Sequence, residues 1–181
     1  VEVRDAAKLM KNKRSAKPNN IPNEVWKLIV TNDESAAALA QFFTTCFRFA
    51  KTPTAWAKAE IIAIFKKGDR QDPANYRPLA LLDTCYKLYA RILQSRIANK
   101  VDAHLRKSQY GFRKGPSAVN ALSILRRILE WVQNQKEGKF YMLFLDWNMA
   151  FDKVDHKALL IALRRMGFSQ QYVDIKQDIY S

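Results

Sequence analysis

Residues 139–147, KFYMLFLDW, place six successive apolar side chains, Phe140 to Leu145, directly before one acid, Asp146. The run does not alternate between polar and apolar residues, which predicts a β-strand buried on both faces. Such a strand requires other elements to cover both of its sides, and it leaves a carboxylate at its end.

Position alone leaves three roles open for Asp146. A carboxylate at the end of a buried strand is costly unless it is paired with a cation, bound to a metal or turned to solvent. Asp146 is therefore a salt-bridged structural acid, a solvent-facing residue or a metal ligand. The residues around Asp146 are therefore needed to distinguish between these three roles.

The 181 residues suffice for one domain with a proper core. Hydrophobic residues make up 48% of the chain, which excludes a disordered tail. No apolar stretch approaches the ~20 residues of a membrane span. The first residues, VEVRDAAKLMKNK, lack an apolar signal segment, so we expect an intracellular protein, nuclear or cytoplasmic. The missing initiator Met indicates a fragment.

The two cysteines, Cys46 and Cys85, are predicted to be reduced core thiols. Each lies in an apolar helical pattern, and a zinc site needs more ligands than the two provide.

The positive charge is concentrated in one stretch. The net charge is +14, and residues 57–114 carry thirteen Lys or Arg against five Asp or Glu. A surplus of this size predicts a polyanionic partner. An acidic membrane surface is the rival, but no basic amphipathic helix with an aromatic face stands out.

Helical periods recur along the chain. Residues 11–24 form a basic, Pro/Asn-rich loop, after which a short helix is predicted at 23–30. Asn32 or Asp33 caps a helix that carries Phe43 and Cys46 on its core face. Further helices are predicted at 83–105 and from Pro116 to Val132, followed by a helix capped by Asp155 and closed by Gly167. Ser169 caps the last helix.

The residues between 58 and 82 predict a β-hairpin. The run KAEIIAIFKK is rich in β-formers, GDRQDPAN has turn chemistry, and YRPLALL is a second extended run. Pro78 indicates an edge strand. The hairpin therefore has a long, mobile tip, and its stems carry Lys66, Lys67 and Arg77.

An acid at the end of a strand together with a basic, mobile hairpin is typical of enzymes that add nucleotides to a growing strand. Their two divalent ions are held by a few carboxylates, and one Asp can bridge both ions but cannot hold them alone. The triphosphate calls for Lys and Arg on a mobile element, a character that the hairpin has. A bulky ring beside the metal-binding Asp excludes a ribose 2′-hydroxyl by sterics alone, and Phe151 lies five residues after Asp146.

Four stretches in order resemble the reverse transcriptase of non-LTR (LINE-type) retrotransposons, from about residue 8 to residue 180. They are LMKNKRSAKPNNIPNEVWK, WAKAEIIAIFKKGDRQDPANYRPLALLDTCYKLYARIL, QYGFRKGPSAVNAL and FLDWNMAFDKVDHKALL. The resemblance implies an α+β fold: right-hand polymerase fingers with the start of the palm, in which helices pack around a fingers β-hairpin and a buried palm strand. It divides the chain into a helical lead-in (1–56), fingers (57–138) and the start of the palm (139–181).

The resemblance also implies roles for individual residues. Asp146 matches the metal-bridging catalytic aspartate, and the backbone carbonyl of Trp147 is the adjacent ligand. Phe151 matches the gate against ribonucleotides. Arg77, with Lys66 or Lys67, matches the contact to the incoming triphosphate or the template. The template path is matched by Gln109, Gly111, Phe112 and Arg113. Asp152, Asp155 and His156 are interpreted as structural.

The implied cofactors are two Mg²⁺ ions, with Mn²⁺ as a possible substitute. The implied partners are an RNA template, a DNA primer and dNTPs, with no membrane involved; the sequence does not indicate the oligomeric state.

The chain departs from the family pattern in several places. Ala63, Pro116, Asn120, Asn148 and Met149 replace residues that are common in the family, and the lead-in lacks its glycines. The second catalytic block, with paired aspartates, is expected after the last residue, and no Asp-Asp dipeptide occurs in the chain. The 181 residues alone are therefore predicted to be inactive as a polymerase.

Two other readings remain open. The first is a group II intron-type or other cellular reverse transcriptase, although the KKGDRQDPANYRP hairpin favours the LINE type. The second is a non-catalytic nucleic-acid-binding module derived from a decayed reverse transcriptase. That module would keep the basic fingers and use Asp146 only structurally.

Overall fold

The computed structural model describes residues 1–16 and 18–181. The predicted loop at 11–24 is confirmed for residues 11–16 and 18–22, whereas a helix already begins at Asn23. Lys17 lies outside the described residues. The chain divides into two compact units. Unit 1 contains Val1–Arg96 and Leu160–Ser181, and unit 2 contains Ile97–Leu159.

The element order is mixed helix and sheet. The helices are α1 (Glu2–Lys8), α2 (Asn23–Ile29), α3 (Asp33–Phe49), α4 (Thr84–Val101), α5 (Ala118–Gln133), α6 (His156–Arg165) and α7 (Gln170–Ile179). The strands are β1 (Ala59–Phe65) and β2 (Tyr76–Leu82). Within the described part of the chain, no helix combines the length and apolarity needed to span a bilayer.

The core of unit 1 is built on α3 and α4. The rings of Phe43, Trp56 and Tyr89 form a cluster, with centroids 5.2 Å apart for Phe43 and Tyr89 and 5.5 Å apart for Trp56 and Tyr89. Leu88 and Leu93 pack into the same buried set. Phe43 and Cys46 of α3 are thus buried, as their helical spacing predicted.

Polar side chains fix the ends of these helices. The side chain of Asn32 accepts a hydrogen bond from the Ser35 amide at 2.8 Å, which caps α3 as predicted. Asp83 caps α4 through the amides of Cys85 and Tyr86, at 2.7 and 3.0 Å. Since each capping side-chain oxygen accepts from amides that the helix itself leaves unpaired, both helix starts are stabilised.

The loop before α2 is tied to the start of α4 by one buried hydroxyl. Thr84 Oγ1 donates to the Ile21 carbonyl at 2.8 Å and accepts from Trp26 Nε1 at 2.9 Å. Asn19 Nδ2 also donates to Thr84 Oγ1, at 3.1 Å. Residues 18–22 are therefore held against the residues that follow the hairpin.

The predicted hairpin is confirmed as an antiparallel pair. Ala59 lies opposite Leu82, and Phe65 lies opposite Tyr76. Pro78 lies opposite Ala63, and because the sheet has two strands, each is an edge strand. Leu81 is buried, whereas Ile61, Ile64 and Leu79 are exposed. The inner end of the hairpin thus packs on unit 1, and the outer end is largely uncovered.

The prediction of a buried strand at 140–145 is wrong for this structure. The segment before Asp146 forms no strand, and Tyr141, Leu143, Phe144 and Leu145 are each at least 77% exposed. A buried strand needs neighbouring strands and covering layers, and the one sheet of the described residues is the β1–β2 hairpin. Unit 2 likewise has no buried side chain among its residues, α5 included.

Candidate nucleotide and nucleic-acid site

The hairpin carries the cations predicted to meet a triphosphate. Arg77 lies opposite Ile64 near the outer end of the hairpin, and Lys66 directly follows β1. Lys66, Lys67 and Arg77 are exposed, and none forms an ion pair with a described residue. Three unpaired cations on one exposed arm are available to an anionic ligand.

The tip between these cations is held by its own side chains. Asp72 Oδ1 accepts from the Ala74 amide at 2.9 Å, and Asp69 Oδ1 accepts from the Gln71 amide at 2.9 Å. Asn75 Nδ2 donates to the Asp69 carbonyl at 2.9 Å, and the Lys66 amide donates to the Asn75 carbonyl at 2.8 Å. The acids of the tip therefore shape the turn.

Gly68 is required by this turn. Its φ is +95°, a left-handed conformation that L side chains rarely adopt, and an added Cβ would lie 2.9 Å from Asn75 Nδ2. Below the tip, the Arg70 guanidinium lies over the Phe65 ring at 5.3 Å, and Tyr76 donates its hydroxyl to the Arg70 carbonyl.

Arg113 is engaged within unit 2. Its guanidinium donates to both carboxylate oxygens of Asp102, at 2.8 and 3.1 Å, and to the Arg106 carbonyl at 3.1 Å. The hydrogen bonds from Arg113 lower the pKa of Asp102, and those to Asp102 raise the pKa of Arg113. Arg113 thus holds the loop 106–113 in place, a contact that sequence reasoning did not foresee.

Phe112 and Phe151 are the predicted site residues that the fold brings together. Their ring centroids are 6.2 Å apart at 89°, an edge-to-face contact. Phe112 is 97% exposed and has a φ of +60°, in the left-handed region. The backbone of the neighbouring Gly111 lies outside that region. Gln109 Nε2 lies 3.5 Å from the Gly111 carbonyl, at the limit of a hydrogen bond.

Asp146 and Trp147 lie in the exposed segment that replaces the predicted strand. A turn follows these two residues, and Met149 has a φ of +53° there. The Met149 carbonyl accepts a hydrogen bond from the Lys153 amide at 3.1 Å. Asp155 then caps α6 through the Ala158 amide at 2.9 Å, which confirms its structural role. The corresponding role for Asp152 stays a prediction.

The described residues do not by themselves form a metal centre. Within residues 1–16 and 18–181, no group of three or more His, Cys, Asp or Glu side chains could hold an ion. Mg²⁺ in a two-ion site needs several carboxylate oxygens, and Asp146 supplies one carboxylate. The residues present therefore do not supply enough ligands to hold two metal ions.

Cys46 and Cys85 are free thiols, as predicted.

The structure contains one feature that the sequence did not reveal, a groove lined by basic side chains. A groove of about 800 Å³ in unit 1 brings Lys11, Arg14, Lys87 and Arg91 together. The spacing of Lys87 and Arg91, four residues apart on α4, is the one sequence signal for it.

The comparisons with known proteins cover the hairpin and the Asp146 segment together. The family model for reverse transcriptase (RNA-dependent DNA polymerase) matches residues 64–180. The chain is 28% identical over 97% of its length to the probable RNA-directed DNA polymerase from transposon BS of Drosophila melanogaster. It is 29% identical over 97% of its length to the RNA-directed DNA polymerase from mobile element jockey of the same species.

A third relative is the Pol polyprotein from type-1 retrotransposable element R2 of Popillia japonica, 30% identical over 65% of this chain. The chain spans 19% of the first two relatives and 16% of the third. Because the alignments reach 97% of the chain, the similarity includes the helical lead-in as well as the residues of the family model. The resemblance to non-LTR retrotransposon enzymes is thereby confirmed, and the chain belongs to the reverse transcriptase family.

Proposed function

We propose that the chain forms part of an RNA-directed DNA polymerase of a non-LTR retrotransposon. Residues 1–56 are a helical lead-in, 57–138 the fingers, and 139–181 the start of the palm. The observation that carries the proposal is the family match over 64–180, because that one range contains both the hairpin cations and Asp146.

The fingers hairpin is proposed to contact the incoming dNTP or the template. The roles fall to Arg77 and to Lys66 or Lys67, whose free, exposed charges support them. A guanidinium binds phosphate oxygens bidentately, and a flexible ammonium adds charge where the phosphate moves. Gln109, Gly111, Phe112 and Arg113 are proposed to line the template path. Since Arg113 is engaged with Asp102, its proposed part is to shape that loop.

Asp146 and the Trp147 carbonyl are proposed as metal ligands in a longer protein that contains this chain. The divalent ions, Mg²⁺ or Mn²⁺, would polarise phosphate oxygens there. Because the described residues form no group of three or more metal-binding side chains, the other ligands are proposed to belong to the rest of that longer protein. Phe151 is proposed to exclude the ribose 2′-hydroxyl, in keeping with its ring resting edge-on against Phe112.

The partners proposed for the longer protein are an RNA template and a DNA primer. The net charge of +14 supports them, because neutralising phosphates releases counterions and strengthens binding. The same charge fits a non-catalytic binding module, and the two functions differ in whether nucleotide addition depends on Asp146.

A primer-extension assay distinguishes the polymerase from the non-catalytic binding module. The purified 181-residue chain is expected to incorporate no dNTP in Mg²⁺ or Mn²⁺, and a longer protein that includes the remaining catalytic residues is expected to extend the primer. In the longer protein, Asp146→Asn should lower incorporation by ~10³-fold, because a metal ligand is lost. The control Glu137→Gln removes an exposed carboxylate nine residues earlier and should leave incorporation unchanged. Incorporation by the 181-residue chain, or full activity of Asp146→Asn, would contradict the proposal.

A further inference from the structure

The tip of the hairpin, residues 66–75, is closed by the side chain of Asn75. This side chain is half-buried, whereas the other residues of the tip are all exposed. Asn75 Nδ2 donates to the Asp69 carbonyl at 2.9 Å and lies 3.4 Å from Asp72 Oδ2. Gly68 leaves room for the amide, because a Cβ there would lie 2.9 to 3.1 Å from three atoms of the Asn75 side chain. The amide of Asn75 therefore fills the inside of the turn.

The backbone of Asn75 links the two sides of the tip. The last pair of the β1–β2 ladder is Phe65 and Tyr76. One further hydrogen bond extends the pairing beyond this pair, from the Lys66 amide to the Asn75 carbonyl at 2.8 Å. Because Arg77 lies on β2, two residues after Asn75, this bond fixes the spacing of Lys66 and Arg77 across the hairpin.

The tip also keeps its acids away from its cations. Asp69 and Asp72 each accept a hydrogen bond from the backbone amide two residues ahead, at 2.9 Å. No ion pair of the described residues involves Lys66 or Lys67, although both acids follow within six residues. The Asn75 amide beside Asp72 Oδ2 supports this arrangement, so its loss would release a carboxylate to neutralise the lysines.

A triphosphate binds best to cations whose spacing is set before it arrives. An unrestrained tip would lose conformational freedom on binding, and that loss would weaken the affinity. A guanidinium binds phosphate oxygens as a planar fork, and an ammonium acts as a point charge. The relative placement of Lys66 and Arg77 therefore decides whether both reach the same ligand.

We propose that Asn75 is a positioning residue for the triphosphate of the incoming nucleotide. It does not contact the ligand. It holds Lys66, Lys67 and Arg77 at a spacing that suits a chain of phosphates, and it keeps Asp72 from pairing with the lysines. The inference rests on the proposed function and selects one part of it, because it assigns the hairpin cations to the dNTP and not to the template.

Steady-state primer extension by a longer, active protein that contains this chain tests the proposal. Asn75→Ala removes the amide, and Asn75→Asp keeps its size but replaces the donor with a carboxylate. The matched controls are Gln71→Ala and Gln71→Glu, which make the same changes in charge and donor capacity at an exposed side chain of the same tip.

Both Asn75 variants should raise the KM for dNTP about tenfold and change kcat less than about threefold, because the ligand is held less well but reacts in the same site. The KM for primer–template should keep its wild-type value, and so should every constant of the Gln71 variants. The inhibition constant of inorganic tripolyphosphate at fixed free Mg²⁺ should rise with the KM for dNTP, because this anion presents phosphates alone. A lower kcat with an unchanged KM, which partial misfolding would produce, or equal effects in the Gln71 variants would overturn the proposal.

A double-mutant cycle distinguishes positioning from an independent effect. In a Lys66→Gln with Lys67→Gln background, Asn75→Ala should raise the KM for dNTP only about twofold, because a positioning residue acts through the groups that it positions. A further tenfold rise in that background would show that Asn75 acts without the lysines, and the proposal would fall.

Arg77→Gln separates failure of this inference from failure of the proposed function. If Arg77→Gln raises the KM for dNTP and the Asn75 variants do not, the inference fails and the proposed function stands. If Arg77→Gln raises the KM for primer–template alone, the cations contact the template, which again overturns the inference only. If the longer wild-type protein adds no dNTP to a primer, the proposed function fails and the inference fails with it.

Discussion

Phe112 and Phe151 show how a site residue can be set by a neighbour far away in sequence. Phe112 holds a left-handed backbone, which costs a non-glycine residue about 1–2 kcal/mol, and its ring meets Phe151 edge-on. The sequence predicted a role for each ring, but it gave no signal that the two would touch, because side-chain contacts across a loop have no period.

Phe151→Ala in a longer, active protein is predicted to relax discrimination against ribonucleotides. Removing the ring opens space for a 2′-hydroxyl, and a purely steric selection against one hydroxyl is worth up to about 10²-fold. The measurement is the ratio of kcat/KM for a dNTP and the matching rNTP. Phe49→Ala, which removes another exposed ring, should leave the ratio unchanged. An unchanged ratio in Phe151→Ala would remove Phe151 from the gate role.

Local signals predicted most of the elements. Asn32 and Asp155 were identified as caps because a short acceptor before an apolar period satisfies unpaired helix amides, and both make that hydrogen bond. The hairpin followed from two β-rich runs around turn residues. The run 140–145 was assigned as a strand because apolar content alone indicates burial, yet a strand also needs partners that a local pattern does not supply.

The hairpin tip is predicted to depend on Gly68. Gly68→Ala adds a Cβ against Asn75 and fixes an L residue at a φ of +95°, which should weaken the tip by about 1–2 kcal/mol. The readout is amide exchange of Lys66, whose N–H is bound to the Asn75 carbonyl, and it should speed up. In Gly111→Ala the added Cβ meets no atom within 4 Å, so that variant should exchange like the wild type.

The end of α3 offers a stabilising change. Ala50 follows the helix with a φ of +49°, a conformation that suits glycine. Ala50→Gly should raise the free energy of unfolding by about 1 kcal/mol, whereas Ala38→Gly in the exposed interior of α3 should lower it by about 1 kcal/mol. Urea denaturation measures both, and a loss of stability in Ala50→Gly would contradict the left-handed cap.

At the scale of the whole molecule, the last helix is joined to the end of α3 within unit 1. Asp178 of α7 accepts from Lys51 Nζ at 2.8 Å and from the Thr52 amide and hydroxyl at 2.7 and 2.8 Å. Gln171 donates to the Phe47 carbonyl at 2.8 Å. These contacts join the end of α3 to the last helix over more than 120 residues of sequence, and neither period nor motif predicted them.

Acidic pH is predicted to weaken the contacts of Asp178 with Lys51 and Thr52. Burial alone raises the pKa of Asp178, but the hydrogen bonds from Lys51 and Thr52 outweigh it, so the folded pKa lies below the ordinary 3.8. Its stabilisation is therefore present above about pH 4 and is lost as the pH falls through the folded pKa. Asp178→Asn should cost about 1–2 kcal/mol at pH 7 and should lose less stability than wild type below pH 4. Asp174→Asn, on the same helix, should retain the wild-type pH profile.

The uncovered run at 140–145 also bears on how the protein behaves in concentrated solution. Six apolar residues that belong to no helix or strand offer N–H and C=O groups to any similar segment. Two copies that meet there can pair in register and bury the same leucines and phenylalanines, as stacked strands do in amyloid-like assemblies. A charged residue at Leu143 would oppose that self-association, and light scattering as a function of protein concentration would reveal it.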